Sequence, residues 1–237
     1  MKKIMIALIV LFVSQLFQSC HKIKGEGPVV TQTYNPGNFS AIDAAIDADV
    51  YYTVGSSCKV EIQAQQNILN IIQMQVVGNE LQMQFEKFKN VRHHDRIIVN
   101  ITAPSLTGLG INGSGDMRVL QAIEVNNLAL KVNGSGSINI AQVNGSSVAA
   151  SISGSGSITV NGGAVNSESL HISGSGNIDL QQMTAKYAAV KTSGSGKTSV
   201  YVTDNLDVEI SGSGDVYYLG NPSVHSSISG SGKVTHM

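Results

Sequence analysis

The amino-acid sequence predicts an all-β protein whose second half is a parallel β-helix, that is, a solenoid of stacked coils. The tripeptide Gly-Ser-Gly occurs seven times, beginning at residues 113, 134, 154, 174, 194, 212 and 230, so consecutive copies are 18 to 21 residues apart. A period of this length is typical of solenoids, in which each repeat packs only on its neighbours. Apolar and polar residues alternate on both sides of each triplet, which indicates short strands with one buried face.

Four positions of each repeat form the predicted core. Counted from the first glycine of the triplet, positions −4, −2, +4 and +6 are apolar in 24 of 28 occurrences. The β-branched residues Ile and Val, which suit a pleated buried surface, dominate these columns. Each repeat is therefore expected to hold two short strands, and the Asn- and Gly-rich segments between repeats are expected to be turns.

The triplet is the predicted corner between the two strands. Glycine adopts positive φ angles without a Cβ clash, as a tight bend needs. The repeated serines would then stack about 4.8 Å apart and could hydrogen-bond along the solenoid axis. The structural turn glycines are Gly113, Gly115, Gly134, Gly136, Gly154, Gly156, Gly174, Gly176, Gly194, Gly196, Gly212, Gly214, Gly230 and Gly232.

A left-handed β-helix built from hexapeptides is the alternative to this coil. Acyltransferases with left-handed β-helices use 18-residue coils made of three hexapeptides. Two of the spacings here are 18 residues, but apolar residues do not recur every six positions and the other spacings are 20 or 21. The pattern therefore favours the longer coil.

The first 19 residues are predicted to be a signal peptide. Lys2 and Lys3 precede the apolar run Ile4–Phe17, which is too short for a membrane-spanning helix. Cys20 follows directly, with the small residue Ser19 before it, in an arrangement that resembles the lipobox of bacterial lipoproteins. The resemblance implies that Cys20 is lipidated and attaches the protein to a membrane, whereas an ordinary signal peptide with an incidental cysteine is the alternative.

The chain after Cys20 divides into a tether and one domain. Residues 20–37 are polar and contain Gly and Pro, so we expect a lipidated tether. Residues 38–105 carry irregular strand-like segments that would cap the end of the solenoid, as unpaired strand edges require. No linker separates them from the repeats of 106–237, so residues 38–237 form a single predicted domain. We also expect a homo-oligomer, because the last repeat has no capping segment after it.

Motifs for catalysis or cofactor binding do not occur in the repeats. The triplets do not continue into G-x-G-x-x-G or G-x-x-x-x-G-K-[ST], and their serines lack the G-x-S-x-G context of a nucleophile. The cluster His93-His94-Asp95 lies between two strand-like segments and is expected to be an exposed loop. Adjacent histidines of a strand would point to opposite faces, so they would not easily share a metal ion. We therefore predict no catalytic, cofactor-binding or metal-binding residues and no cofactor.

The charge balance argues against nucleic acid as a partner. Removal of residues 1–19 leaves 13 Lys and Arg against 16 Asp and Glu. Proteins that bind nucleic acid carry a basic surface instead.

Two segments carry a resemblance to a known family. Gly110–Asp116 reads Gly-Ile-Asn-Gly-Ser-Gly-Asp, and Ile152–Ile158 reads Ile-Ser-Gly-Ser-Gly-Ser-Ile. Together with the lipoprotein-like start and the segment Phe39–Tyr52, they resemble the "Putative auto-transporter adhesin, head GIN domain" family of bacterial envelope proteins over about residues 38–237. The resemblance implies a right-handed β-helix, shaped like a pectin lyase without its catalytic residues, and a role in adhesion; it implies no site residues.

The functional expectation is a non-enzymatic lipoprotein of the cell envelope, lipid-anchored in the outer membrane. Its coil faces would bind a glycan or a protein. The alternatives are a glycan-processing β-helix enzyme with a groove on one face and a structural scaffold that associates with itself.

Overall fold

The structure is a computed structural model that describes residues 21–237, so the predicted signal peptide (1–19) and Cys20 lie outside the described residues. The N-terminal half contains nine strands and one helical turn. They are β1 His21–Ile23, β2 Val29–Tyr34, β3 Ala41–Ala45, β4 Asp49–Val54, β5 Lys59–Gln65, α1 Gln66–Leu69, β6 Ile72–Val77, β7 Glu80–Phe85, β8 Lys89–Val91 and β9 Ile98–Ala103.

The repeat half contains long strands that bend around the solenoid. They are β10 Gly108–Gly113, β11 Asp116–Gly134, β12 Ser137–Gly154, β13 Ser157–Val160, β14 Gly163–Gly174, β15 Asn177–Gly194, β16 Lys197–Gly212, β17 Asp215–Leu219, β18 Ser223–Gly230 and β19 Lys233–His236. Each of β10 to β17 pairs in parallel with a strand one repeat later, and equivalent residues align, as Ile111, Val132 and Ile152 do. The all-β solenoid of about six turns confirms the predicted fold class.

The coils up to the fifth triplet each have three paired strand segments, which corrects the prediction of two strands and a turn. Between the first two triplets, residues 116–119, 122–125 and 127–134 all pair with the next coil. The segment 122–125 lies between repeats, where the Asn- and Gly-rich composition predicts a turn. Its backbone groups are satisfied by hydrogen bonds to the next coil, and such bonds form whatever the side chains are.

The triplet is a bend that permits close stacking of the coils. Gly154 ends β12 with a φ of +129°, in the left-handed region that favours glycine. A Cβ atom on Gly156 would lie 2.5 Å from Cγ1 of Val132 in the preceding coil. Inter-coil hydrogen bonds here come from the backbone: Ser155 N–H donates to the carbonyl of Gly134 over 2.9 Å. The expected ladder of serine hydroxyls is therefore a ladder of backbone groups in the residues described.

The N-terminal half closes one end of the solenoid. β3 and β4 form a coil without a triplet, in which β3 pairs with β10 and β4 with β11. On its other side, β7 pairs in parallel with β3, and β9 with β4. β5 then pairs with β9 in the antiparallel sense. A tight turn at Gly78-Asn79 joins β6 and β7 as a hairpin.

Residues 21–34 differ from the expected tether. Val29–Tyr34 is a strand that pairs antiparallel with β5, and His21–Ile23 pairs in parallel with β8. The polar composition suggested a flexible segment, but β5 offers a free edge that these residues cover. Cys58 precedes β5 and is half-buried, with its Sγ 3.6 Å from the carbonyl oxygen of Phe39.

The opposite end of the solenoid is open among residues 21–237. β18 pairs only with β16, and β19 only with β17, so one edge of each has no paired strand there. Ile228 occupies a core column but is 42% exposed, whereas Ile210 of the preceding coil is buried.

Candidate binding face

One side of the solenoid presents outward side chains in straight rows. We call it the long face and define it by the strand segments that end at the triplets, 108–113, 127–134, 147–154, 167–174, 187–194, 205–212 and 223–230. Pairing in register places outward residues of successive coils side by side, as with Ser169, Ala189, Asp207 and His225. The next outward row contains His171, Lys191, Glu209 and Ser227. The stacking of the repeats thus builds a continuous surface from residues far apart in sequence.

A groove of about 620 Å³ lies on the last four coils of the long face. Two small outward residues, Ser169 and Ala189, are part of its lining. Its polar lining includes His171, Lys191, Asp207, Glu209 and His225. Lys191 donates to both carboxylate oxygens of Glu209 at 3.0 Å. This pair is more than half exposed, so it orients the two side chains and adds less than about 1 kcal/mol to stability.

A second depression, of about 340 Å³, lies at the cap end of the long face. Asp43 accepts from the Asn112 amide at 2.7 and 2.9 Å, and the Asn133 amide donates to Asn112 Oδ1 at 2.7 Å. Burial, with Glu80 nearby, raises the pKa of Asp43 above its ordinary value, and the hydrogen bond from Asn112 opposes this. These hydrogen bonds connect the cap to the first two coils, and the last acceptor is the carboxylate of Asp43.

A charged cluster also joins the cap to the coils. The buried carboxylate of Asp49 forms ion pairs with Arg96 and Arg118, the latter at 3.2 Å. Arg118 reaches Asp116 at 3.2 Å as well. Because both arginines are neutralised by carboxylates, the cluster is a structural clamp between β4 and β11 and offers no free charge to a ligand.

The histidines that the sequence offers as possible ligands do not lie together in the structure. His93 and His94 lie in the loop after β8, where His93 is exposed and His94 is half-buried, and His171 faces outward in the groove. Within residues 21–237, no group of three or more His, Cys, Asp or Glu could hold a metal ion. In the same part of the chain, no helix is long and apolar enough to cross a membrane.

Two residues with unusual surroundings were missed by the sequence patterns. Glu168 points into the core between Val148 and Ala188 of the neighbouring coils, and it is 3% exposed with neither carboxylate oxygen hydrogen-bonded. Burial raises its pKa to about 8. Phe88, in contrast, is almost wholly in solvent. Alignment of position −6 across the repeats could have shown Glu168, whereas Phe88 lies outside the repeats and gave no periodic signal.

The fold and the long face define a class of protein: a β-solenoid that displays regular rows of side chains on an open surface. The sequence profile of the family described as "Putative auto-transporter adhesin, head GIN domain" matches residues 38–222. The chain therefore belongs to this family, which confirms the resemblance noted in its triplet motifs. No curated protein matches the sequence.

Solved structures share the fold over nearly the whole chain. A putative adhesin from Bacteroides fragilis has a TM-score of 0.86 and 26% identity, and the match covers 91% of this chain and 100% of that one. A putative adhesin from Parabacteroides merdae has a TM-score of 0.71 and 24% identity, covering 91% and 99%. A putative lipid binding protein from Parabacteroides distasonis has a TM-score of 0.74 and 23% identity, covering 92% and 100%.

Proposed function

We propose that this protein is a non-enzymatic adhesion module of the bacterial cell envelope that binds an extended partner along the long face. The observation that carries the proposal is the groove over the last four coils, where rigid strands hold outward polar side chains in register. A surface ordered before binding loses little conformational entropy when a ligand lies on it. The adhesin descriptions of the family and of the similar structures support an adhesion-type role.

The partner that this face suits is a polar polymer, either a glycan or a protein segment. Acidic and basic side chains alternate in the groove, with Lys191 beside Glu209 and Asp207 beside His225, so neither sign of charge dominates. The exposed tyrosines Tyr187 and Tyr201 lie on the same coils and could stack on sugar rings.

A substitution that fills the groove tests the proposal. Ala189→Trp places a large ring on the groove floor without touching the core, because Ala189 faces outward. Asn139→Trp is the matched control, since Asn139 is exposed on another segment of the coil. The fluorescently labelled protein is applied to surfaces coated with an extract of bacterial cell envelope, either untreated, oxidised with periodate or digested with protease.

Specific loss of binding in Ala189→Trp, with Asn139→Trp unaffected, would support the long face as the binding surface. Loss after periodate would identify a glycan, and loss after protease a protein. Equal binding by both variants would refute the role of the groove.

The same groove contains the residues that an enzyme would use, Asp207 and Glu209. Glycoside hydrolases need a carboxylic acid whose pKa is raised by an apolar site. Here Glu209 is exposed and paired with Lys191, an arrangement that suits binding better than proton transfer. A binding module is therefore the function proposed for this face.

Attachment to the outer membrane through a lipid on Cys20 completes the proposal. Cys20 lies outside the described residues, and the lipobox-like sequence before it is the support. The description of a similar structure as a putative lipid binding protein is compatible with contact between this fold and lipid.

A further inference from the structure

An apolar ring stands in solvent at the cap end of the solenoid. Phe88 lies in the turn between β7 and β8 and is 85% exposed, the highest value among the exposed large apolar side chains of the described chain. Its φ is +67°, in the left-handed region that a bulky residue rarely adopts. A single exposed apolar residue is common on protein surfaces, so its neighbours determine whether it indicates a binding surface.

The turn around Phe88 is basic. Lys87 and Lys89 flank the ring and Arg92 follows, so residues 86–92 carry three basic residues against one acidic residue, Glu86. Lys87 and Arg92 are exposed and Lys89 is half-buried. The whole chain has a formal net charge of −1, so this positive charge is a local excess.

The N-terminal segment is held against this same turn. β1 pairs in parallel with β8, with His21 opposite Lys89. The Arg92 N–H donates to the Ile23 carbonyl over 2.8 Å. His21 follows Cys20 in the sequence and Lys89 follows Phe88, so the described fold begins beside the turn.

We propose that the turn at residues 86–92 docks on a membrane surface that carries anionic lipid headgroups. Phe88 enters the interface, and Lys87, Lys89 and Arg92 face the headgroups. Aromatic rings with basic neighbours favour this boundary, because the ring leaves water while the charges meet anionic lipid. That a membrane lies next to this turn rests on the proposed lipid at Cys20. The docking itself needs no lipid on the protein.

Docking would also orient the domain. A lipid chain on Cys20 alone leaves the domain free to turn about its attachment. A second contact, at the turn against which β1 is paired, would hold the cap against the membrane, so that the coils with the groove project from it.

The sequence contains no Trp, which allows a single fluorescent reporter. The protein is prepared without residues 1–19 and with Cys20→Ala, since residues 21–237 hold the described fold. Phe88→Trp then places the only indole in the turn, and Leu120→Trp is the matched control because Leu120 is 72% exposed on a coil. Vesicles of phosphatidylglycerol and phosphatidylcholine should shift the emission of Phe88→Trp to the blue, and brominated lipid should quench it. The control should do neither.

Sedimentation with the same vesicles measures the affinity. We expect Phe88→Ala to weaken binding about tenfold, which corresponds to about 1.4 kcal/mol. The double variant Lys87→Gln and Lys89→Gln should lose binding to anionic vesicles, and salt should weaken the wild type in the same way. Lys197→Gln with Lys233→Gln removes the same charge from the coils and should have no effect.

An unshifted Phe88→Trp spectrum, or equal binding by wild type and Phe88→Ala, would overturn the proposal. So would binding of the turn to an envelope protein in the absence of vesicles. These results are independent of the groove variant Ala189→Trp and of acylation at Cys20, so failure here leaves the proposed function standing.

Discussion

The buried carboxyl group of Glu168 should make the stability of this protein depend on pH. Its pKa rises from 4.5 to about 8 because burial penalises the charged form. Because the folded state binds this proton more tightly than the unfolded state, the contribution of this group to the free energy of unfolding is highest below pH 4.5. It falls as the pH rises to about 8. The replacement Glu168→Gln keeps the shape and removes the titration, so it should be the more stable protein at neutral pH.

The magnitude follows from the size of the pKa shift. Each unit corresponds to about 1.4 kcal/mol, so the variant should gain about 1 kcal/mol at pH 5, about 3 kcal/mol at pH 7 and about 5 kcal/mol at pH 9. Glu168→Leu should gain more, because it also removes two unsatisfied polar atoms from the core. Leu128 and Leu206 already occupy the same column in other coils, so the shape is compatible.

Urea unfolding at pH 5, 7 and 9, followed by circular dichroism, measures these differences. Glu124→Gln is the control, since Glu124 is exposed and accepts from the Asn144 amide at 2.8 Å, a bond that Gln can keep. It should stay within about 0.5 kcal/mol of the wild type at every pH. The reasoning is refuted if Glu168→Gln is less stable than the wild type at pH 7 or shows the same pH dependence.

Four other substitutions test the corner, the anchor and the open end. Gly154→Val should destabilise the fold by at least about 2 kcal/mol, because φ is +129° and a Cβ atom would lie close to the Gly134 carbonyl oxygen; Ser155→Ala should cost less than about 1 kcal/mol in the same unfolding assay. Cys20→Ala in the native host should move the protein out of the membrane fraction, unless the wild type is already soluble there. Val234→Lys places a charge at the open edge of β19 and should lower the oligomeric fraction that light scattering measures. A wild type that is strictly monomeric would contradict this.

The regular half of the fold could be predicted because its core repeats in sequence. Ile152 and Ile172 lie at equivalent positions of their repeats, and the structure stacks them in register. The extra strand segment of the coils up to the fifth triplet could not be predicted from residues such as Gln142–Gly145, because their apolar and polar residues do not alternate regularly.

The candidate site was less accessible to sequence patterns. A coil face was expected to bind, but the groove depends on which outward rows lie side by side, as Ala189 does with Asp207. Phe88 and its basic neighbours lie in a turn without periodicity, and their relation to His21 exists only through the pairing of β1 with β8.

In-register stacking also determines how the domain responds to mechanical force. The backbone bonds between coils, such as that from Ser155 to Gly134, run along the solenoid axis. A pull on the last coil would therefore load them end-on, and each coil is held only by its neighbour. The coils should then peel off one after another from the open end, each releasing about 60–70 Å of chain. An adhesion module built this way would lengthen under load before its cap gave way.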